Sequence, residues 1–255
     1  MGTEARHSRS QKRKNVLGKL MKILFSSDLH GLEYAYQRFA FHLKNYDLGV
    51  LAGDMQEDFL PDEEIERLTH KTPDHSYVYT SRGDWKNSEE FKLLTQAMNA
   101  RSSELLSILE EPQKPIFIVL GNHDIASWED STFIKNIHMK NVQFDGYNFV
   151  GYRWTNIDRS IENVNSDIDK IIPWVNEKTI LVTHSPPYGV LDGEPRFGSK
   201  ALRRLPTPWM HLFGHIHEDY GCIDNKINGA WPNLGKFFEV DVEKRSARLI
   251  DPQMS

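Results

Sequence analysis

From Lys22 onward, short apolar runs alternate with amphipathic stretches, the rhythm of a chain that builds strand, loop and helix in turn. Ile23 to Ser27 reads as a buried strand, and Tyr34 to Leu43 as a helix with Ala35, Phe39, Ala40 and Leu43 on one stripe. Leu48 to Ala52, Ile116 to Leu120, Thr179 to Thr183 and Met210 to Phe213 are further apolar runs of strand length. Helical spacing covers Glu89 to Leu109 and Ile161 to Val175, and a strand pair is expected at Val142 to Phe144 and Phe149 to Tyr152. Beyond Tyr220, strand-like pieces at Lys226 to Asn228, Phe237 to Val242 and Ala247 to Ile250 predict an antiparallel finish. The pattern predicts an α/β fold of two packed β-sheets flanked by helices.

Composition narrows the class. With 39% hydrophobic and 26% charged residues, the 255-residue chain is neither fibrous nor globally disordered. No window approaches the roughly 18 apolar residues of a membrane span, and the mean hydropathy is -0.56, so a soluble protein with no membrane partner is expected. Residues 1 to 22 carry seven basic side chains against Glu4, net +6, so the remainder holds -11 of the overall -5. An acidic body argues against a broad nucleic-acid surface. The basic start is followed by an apolar run too short for a secretory segment. Residues 1–20 are expected as a disordered basic extension, or as sequence upstream of a true beginning at Met21, with one domain over 21–255. Cys222 is the sole cysteine, which excludes an intrachain disulfide and suggests a reducing, cytoplasmic setting. The irregular stretch 56–115 reads as an insertion that forms a rim or lid; its His70, His75, Arg82 and Trp85 are either substrate contacts or solvated loop residues.

Five polar clusters stand where apolar runs stop: Asp28-Leu29-His30, Gly53-Asp54, Gly121-Asn122-His123-Asp124, Thr183-His184 and Gly214-His215-Ile216-His217. In open α/β sheets the carboxyl ends of adjacent strands face one crevice, where ligands bind. Asp28 and His30 are two residues apart, as are His215 and His217, so an extended backbone would send each pair the same way and make it chelating. Asp54 has two oxygens with which to bridge cations, and Gly53 lets the backbone approach. Singly, such residues are ordinary loop or cap residues; jointly they suggest a site for two metal ions. His42 and His138 are expected on helices and His211 within a strand, none with a metal role.

These motifs, in this order from about Met21 to the C-terminus, resemble the calcineurin-like metallophosphoesterase superfamily. Thr183 to Gly189 and Phe213 to Gly221 further resemble small phosphoesterases related to class III cyclic-nucleotide phosphodiesterases. The second block, Gly53-Asp54-Met55-Gln56-Glu57-Asp58-Phe59, lacks the arginine of the protein phosphatases. The resemblance implies a four-layer α/β/β/α sandwich of two mixed sheets. It also implies Asp28, His30 and His217 on one divalent ion, Asn122, His184 and His215 on a second, and Asp54 bridging them. The donor set suits borderline ions such as Mn²⁺, Fe, Zn²⁺, Co²⁺ or Ni²⁺ without choosing among them, and Mn²⁺ is the first expectation. The implied reaction is hydrolysis of a phosphodiester or phosphomonoester by a metal-bridging hydroxide, with His123 as the catalytic histidine. Asp124 is expected either to orient His123 or a ligand histidine, or to cap a helix beginning near Trp128 or Glu129. Arg153, Tyr188 and Arg196 are expected substrate contacts, with exposed salt bridges as the alternative for each arginine. The other readings are a catalytically silent scaffold and a nuclease of the same superfamily. Oligomeric state and the particular substrate have no sequence signature.

Overall fold

The computed structural model describes residues 20–56, 69–71, 77–79, 89–124, 128, 130–153, 161–194, 197–230 and 236–251. The predicted extension, apart from Leu20, and His75, Arg82, Trp85, Arg196 and Trp231 lie outside the described residues.

Two six-stranded mixed sheets form the centre. In the first, β1 (Lys22–Ser26), β2 (Leu48–Leu51), β5 (Ile116–Ile118) and β6 (Ile134–Asn136) run parallel. β13 (Phe237–Asp241) and β14 (Ser246–Ile250) complete it in the order β14-β13-β1-β2-β5-β6, each antiparallel to its neighbours. The second sheet has β8 (Tyr147–Tyr152), β9 (Thr179–Thr183), β10 (Met210–Phe213) and β12 (Lys226–Asn228) parallel. Its edges are β7 (Asn141–Phe144) and β11 (Gly221–Ile223), both antiparallel to their neighbours, in the order β11-β12-β10-β9-β8-β7. A short hairpin, β3 (Thr69–Lys71) with β4 (Tyr77–Tyr79), lies within the predicted insertion.

The continuous apolar runs follow from burial on both faces, the usual state of parallel strands. Along β1, Ile23 and Phe25 enter a core between the sheets together with Val50, Phe149, Val182 and Leu212. Leu24 faces the other way, into a core with Phe39 and Leu43 of α1 (Glu33–Leu43) and Leu105 and Leu109 of α2 (Glu89–Glu110). On the far side, Val150 and Leu181 meet Ile168 and Ile171 of α3 (Ile161–Ile171). Helices therefore cover both outer faces, and the fold is the expected α/β/β/α sandwich.

Four local expectations are corrected. β12 lies parallel to β10, because β11 supplies the return leg and restores the strand direction. The α3 helix ends at Ile171, and a 3₁₀ turn over Ile172–Trp174 follows it; Pro173 has no N–H with which to extend the α-helical ladder. No helix begins at Trp128 among the described residues. The chain instead enters β6, where the Asp130 carboxylate accepts from Asn136 N at 2.8 Å, and His138 pairs as an isolated bridge with Gly151 rather than standing on a helix.

Candidate metal centre

The carboxyl ends of β1, β2 and β5 face those of β9 and β10, and the five polar clusters meet there. Asp28, His30 and His217 place one ligand atom each within 4.8 Å of one another, and Asp54, His184 and His215 form a second such group. The His215 and His217 pair is thus divided between the two groups. The reason is the backbone. Asp28, His30, Asp54 and His215 all have left-handed φ (59°, 44°, 48° and 77°), so neither histidine motif is extended as the spacing argument supposed. Aspartate and histidine are among the side chains that tolerate this region best.

Backbone hydrogen bonds hold these turns across loops. Asp28 N donates to Gly53 O at 2.8 Å, His30 N to Asp54 O at 2.9 Å and Gly31 N to Met55 O at 2.8 Å. Close approach requires glycine at two further positions. A Cβ on Gly121 would lie 2.1 Å from Asp54 Oδ1, and one on Gly214 would lie 1.9 Å from Ser27 Oγ and 2.4 Å from Asp28 Oδ2. The glycine that opens each of these motifs admits the carboxylate of another loop, a role the sequence pattern suggested only for Gly53.

The electrostatics call for positive charge at the centre. Asp28 and Asp54 are both fully buried. Burial would raise both carboxyls, yet both are held below the usual range, Asp28 by the His217 hydrogen bond and the His184 charge, Asp54 by His184 and His123. His184 Nδ1 donates to Ala52 O at 2.7 Å, which turns Nε2 toward Asn122 Oδ1 at 2.9 Å and Asp54 Oδ2 at 3.4 Å. Burial opposes a charged ring, but the Asp54 and Asp28 carboxylates lift the His184 pKa to about 9. A proton on Nε2 and a cation among these three atoms are alternative ways of supplying the same charge. The carbonyl-fixed imidazole is the arrangement that metal-binding histidines use.

The His215 and His30 rings are neutral donors. Burial, reinforced by the His184 charge, drives His215 down to about 3, and burial lowers His30, whose Nδ1 is enclosed without a hydrogen-bond partner. His30 Nε2 lies 3.3 Å from His217 Nε2, which in turn is 3.1 Å from Asp28 Oδ1. Imidazole, carboxylate and amide oxygen converging in this way fit divalent ions of the first transition row. By distance Asp54 belongs to the second group, while its charge also acts on His30 in the first.

His123 stands at the open side. Its backbone N donates to Asp54 Oδ1 at 2.9 Å, its ring is about one-third exposed, and Nε2 lies 3.8 Å from Asp54 Oδ2. Among the described residues Asp124 caps no helix. Its Oδ1 accepts from Met55 N at 2.8 Å and Gln56 N at 3.0 Å, and its Oδ2 from Gly121 N at 2.7 Å, so it ties the loop after β2 to the loop after β5. Burial and the neighbouring Asp54 charge raise its pKa to about 6. Arg153 follows Tyr152, whose carbonyl accepts from His184 N, and so flanks the centre in the sheet. Tyr188 lies under the Lys200 ammonium, 5.1 Å from its ring centroid.

Two polar residues here had no predicted part. His211 is buried on β10, its Nε2 2.8 Å from Thr183 Oγ1, and that hydroxyl donates to Ser185 O at 2.6 Å, bracing the turn that carries His184. Asn228, also buried, donates to Ile216 O between His215 and His217. Neither had a readable signal, because one lies inside an apolar strand and Asn228-Gly229 reads as a turn.

A two-sheet sandwich with paired clusters of metal-ligand type at one end defines a class of metal-dependent phosphoesterase-like proteins. The family model for calcineurin-like phosphoesterase matches residues 21–219, and the chain belongs to that family. It is 27% identical over 209 residues to UPF0046 protein K07C11.7 of Caenorhabditis elegans, covering 67% of this chain and 68% of that protein. A segment of 52 residues is 46% identical to human metallophosphoesterase domain-containing protein 1, covering 17% of this chain and only 16% of that protein. Among solved structures, TT1561 of Thermus thermophilus shares the fold with a TM-score of 0.59 at 13% identity, covering 91% of this chain and 99% of that one. No helix among the described residues is long and apolar enough to cross a membrane.

Proposed function

We propose that the protein hydrolyses a small phosphate ester, a phosphodiester or a phosphomonoester, at a centre holding two divalent ions, Mn²⁺ foremost. The observation that carries this reading is the convergence of two three-residue ligand groups on one pole with His123 beside them. Asp28, His30 and His217 would hold one ion, Asn122, His184 and His215 the other, and Asp54 would join them. When bound, such ions supply Lewis acidity and lower the pKa of water toward neutrality.

The chain's own groups do the rest. The buried carboxylates and the carbonyl-fixed His184 preorganise the centre before substrate arrives. His123 Nε2, on the open side, would give a proton to the leaving oxygen or hold charge on the phosphoryl group. Asp124 ties the loop that carries His123 to the loop after β2 and acts as a positioning residue. Arg153 and Tyr188 are rim residues proposed to contact the ester. No serine or cysteine nucleophile is required, since water attacks phosphorus directly.

The test is to strip the full chain of metal, resupply Mn²⁺ and measure nitrophenol release from bis-p-nitrophenyl phosphate and p-nitrophenyl phosphate in parallel. Release in a metal-dependent manner is expected, and the two substrates separate diester from monoester preference. Silence with Mn²⁺, Fe²⁺, Zn²⁺, Co²⁺ and Ni²⁺ alike would replace hydrolysis with a scaffold role.

A further inference from the structure

The loop that carries two of the ligand histidines is strained. Ile216 N donates to Gly214 O at 3.0 Å across His215, whose φ is 77°, the three-residue hydrogen bond and positive φ of a γ-turn. That turn is uncommon and costs backbone energy, so it persists only where its surroundings hold it. Its purpose is visible in the ligand groups: the turn sends His215 into one and leaves His217 for the other.

Contacts on two sides hold the turn. On one side His215 N donates to Asp28 Oδ2 at 3.0 Å. On the other, Asn228 reaches across from β12, where it pairs with Phe213 at the end of β10. Its Nδ2 lies 2.8 Å from Ile216 O, 3.2 Å from Asp219 O and 3.4 Å from Leu191 O. The orientation of the amide is dictated by the backbone, because Ala230 N donates to Oδ1 at 2.9 Å and so leaves only the NH₂ group facing the carbonyls. Asn228 is fully buried, so no water competes for those bonds. The Asp219 side chain extends the same lattice by accepting from Gly193 N at 2.8 Å.

We propose that Asn228 is a positioning residue for the metal centre: by fixing the Ile216 carbonyl it holds the strained turn that divides His215 and His217 between two ions. The inference rests on the dinuclear reading above. Asn228 belongs to neither ligand group, which separates its effect from that of a lost ligand. Asn228→Asp keeps the shape and the acceptor for Ala230 N, but it sets a carboxylate oxygen against three carbonyls. Asn228→Ala removes both donor and repulsion.

The experiment is calorimetric titration of the metal-stripped full chain with Mn²⁺ for wild type and both variants, with melting temperatures of the metal-free proteins and the visible spectra of the Co²⁺-loaded forms. Two bound ions are expected for wild type, with binding at least about tenfold weaker in both variants, the Asp form the weaker, and an altered Co²⁺ spectrum; outer partners of metal ligands typically contribute that much. If Asn228→Asp does not fold, Asn228→Ala alone decides. A lower melting temperature with unchanged Mn²⁺ affinity and spectrum would overturn the inference and leave Asn228 a purely structural residue. Absence of Mn²⁺ binding by wild type itself would overturn both this inference and the metal centre on which it rests.

Discussion

His211 provides a stability test that needs no substrate. Its Nε2–H donates to Thr183 Oγ1, whose single proton is already given to Ser185 O, so the neutral ring carries its proton on Nε2. Burial, and then the charge of Lys226, lower its pKa from 6.5 to about 3. Because the folded value lies below the unfolded one, the unfolded chain takes up the proton first. Stability is complete above about pH 6.5 and falls as pH descends toward 3, with a slope approaching about 1.4 kcal/mol per pH unit. At pH 5 the loss from this one group is about 2 kcal/mol relative to pH 8, or roughly 4–8 °C in melting temperature for a chain of this size. His211→Gln keeps an N–H donor and cannot titrate. The assay is thermal unfolding of both proteins at pH 8 and pH 5, read as the difference between their two pH-dependent shifts. Any fixed cost of the substitution cancels, as do the ligand histidines common to both. The variant should lose less stability than wild type by about the amount above, whereas parallel pH curves would refute the assignment of a buried neutral ring.

Asp54→Asn should lower bound metal along with turnover, since the neutral amide gives up the charge that both groups feel; unchanged metal by elemental analysis would remove Asp54 from that role. His123→Ala should cost about 10² to 10⁴ in rate for alkyl esters and much less for nitrophenyl esters, because a good leaving group needs little protonation. An equal loss across leaving groups would assign His123 to phosphate binding instead. Gly121→Ala forces a methyl onto the Asp54 carboxylate; a destabilisation of about 1–3 kcal/mol by chemical denaturation is expected, together with weaker metal retention, and an unchanged denaturation midpoint would count against the close approach. Chelation should lower the melting temperature of the loaded protein, by roughly 2.7 kcal/mol of stabilisation lost when free metal had stood at about a hundred times its dissociation constant.

The layer order was legible because buried parallel strands leave a blunt mark: runs such as Ile23 to Phe25 and Thr179 to Thr183 are buried on both faces, and each is followed by a cluster of donors. What the pattern missed is weakly apolar. β6 buries only Ile134 fully, and β11 exposes Cys222 and Ile223 at a sheet edge, so neither writes a hydrophobic run. The members of the centre were legible as residue types at strand ends, but their division was not readable from spacing and was implied only by the family resemblance. Whether His215 and His217 share an ion depends on a φ angle, and spacing in sequence carries no dihedral information. The bracing residues were hidden for a different reason. The part played by His211 or Asn228 is defined by a carbonyl or hydroxyl on another segment, and nothing local announces such a partner.

Those hidden partners explain how strain is tolerated at the centre. Four candidate ligand positions, Asp28, His30, Asp54 and His215, have left-handed φ in the loops that follow β1, β2 and β10. In compensation, nearly every turn is bonded to a different loop: Asp28, His30 and Gly31 to the loop after β2, that loop to Asp124, Gly214 N to His184 O at 3.0 Å, and the His215 turn to Asp28 and Asn228. Loops so joined move as one body, and an error in any clamp is shared by several ligands. It follows that Asp124 and Asn228, which belong to neither ligand group, should tune ion affinity nearly as strongly as a ligand does. By the same logic, an exposed charged pair such as Lys92 with Glu89 should be silent toward it, since it joins two residues of a single helix.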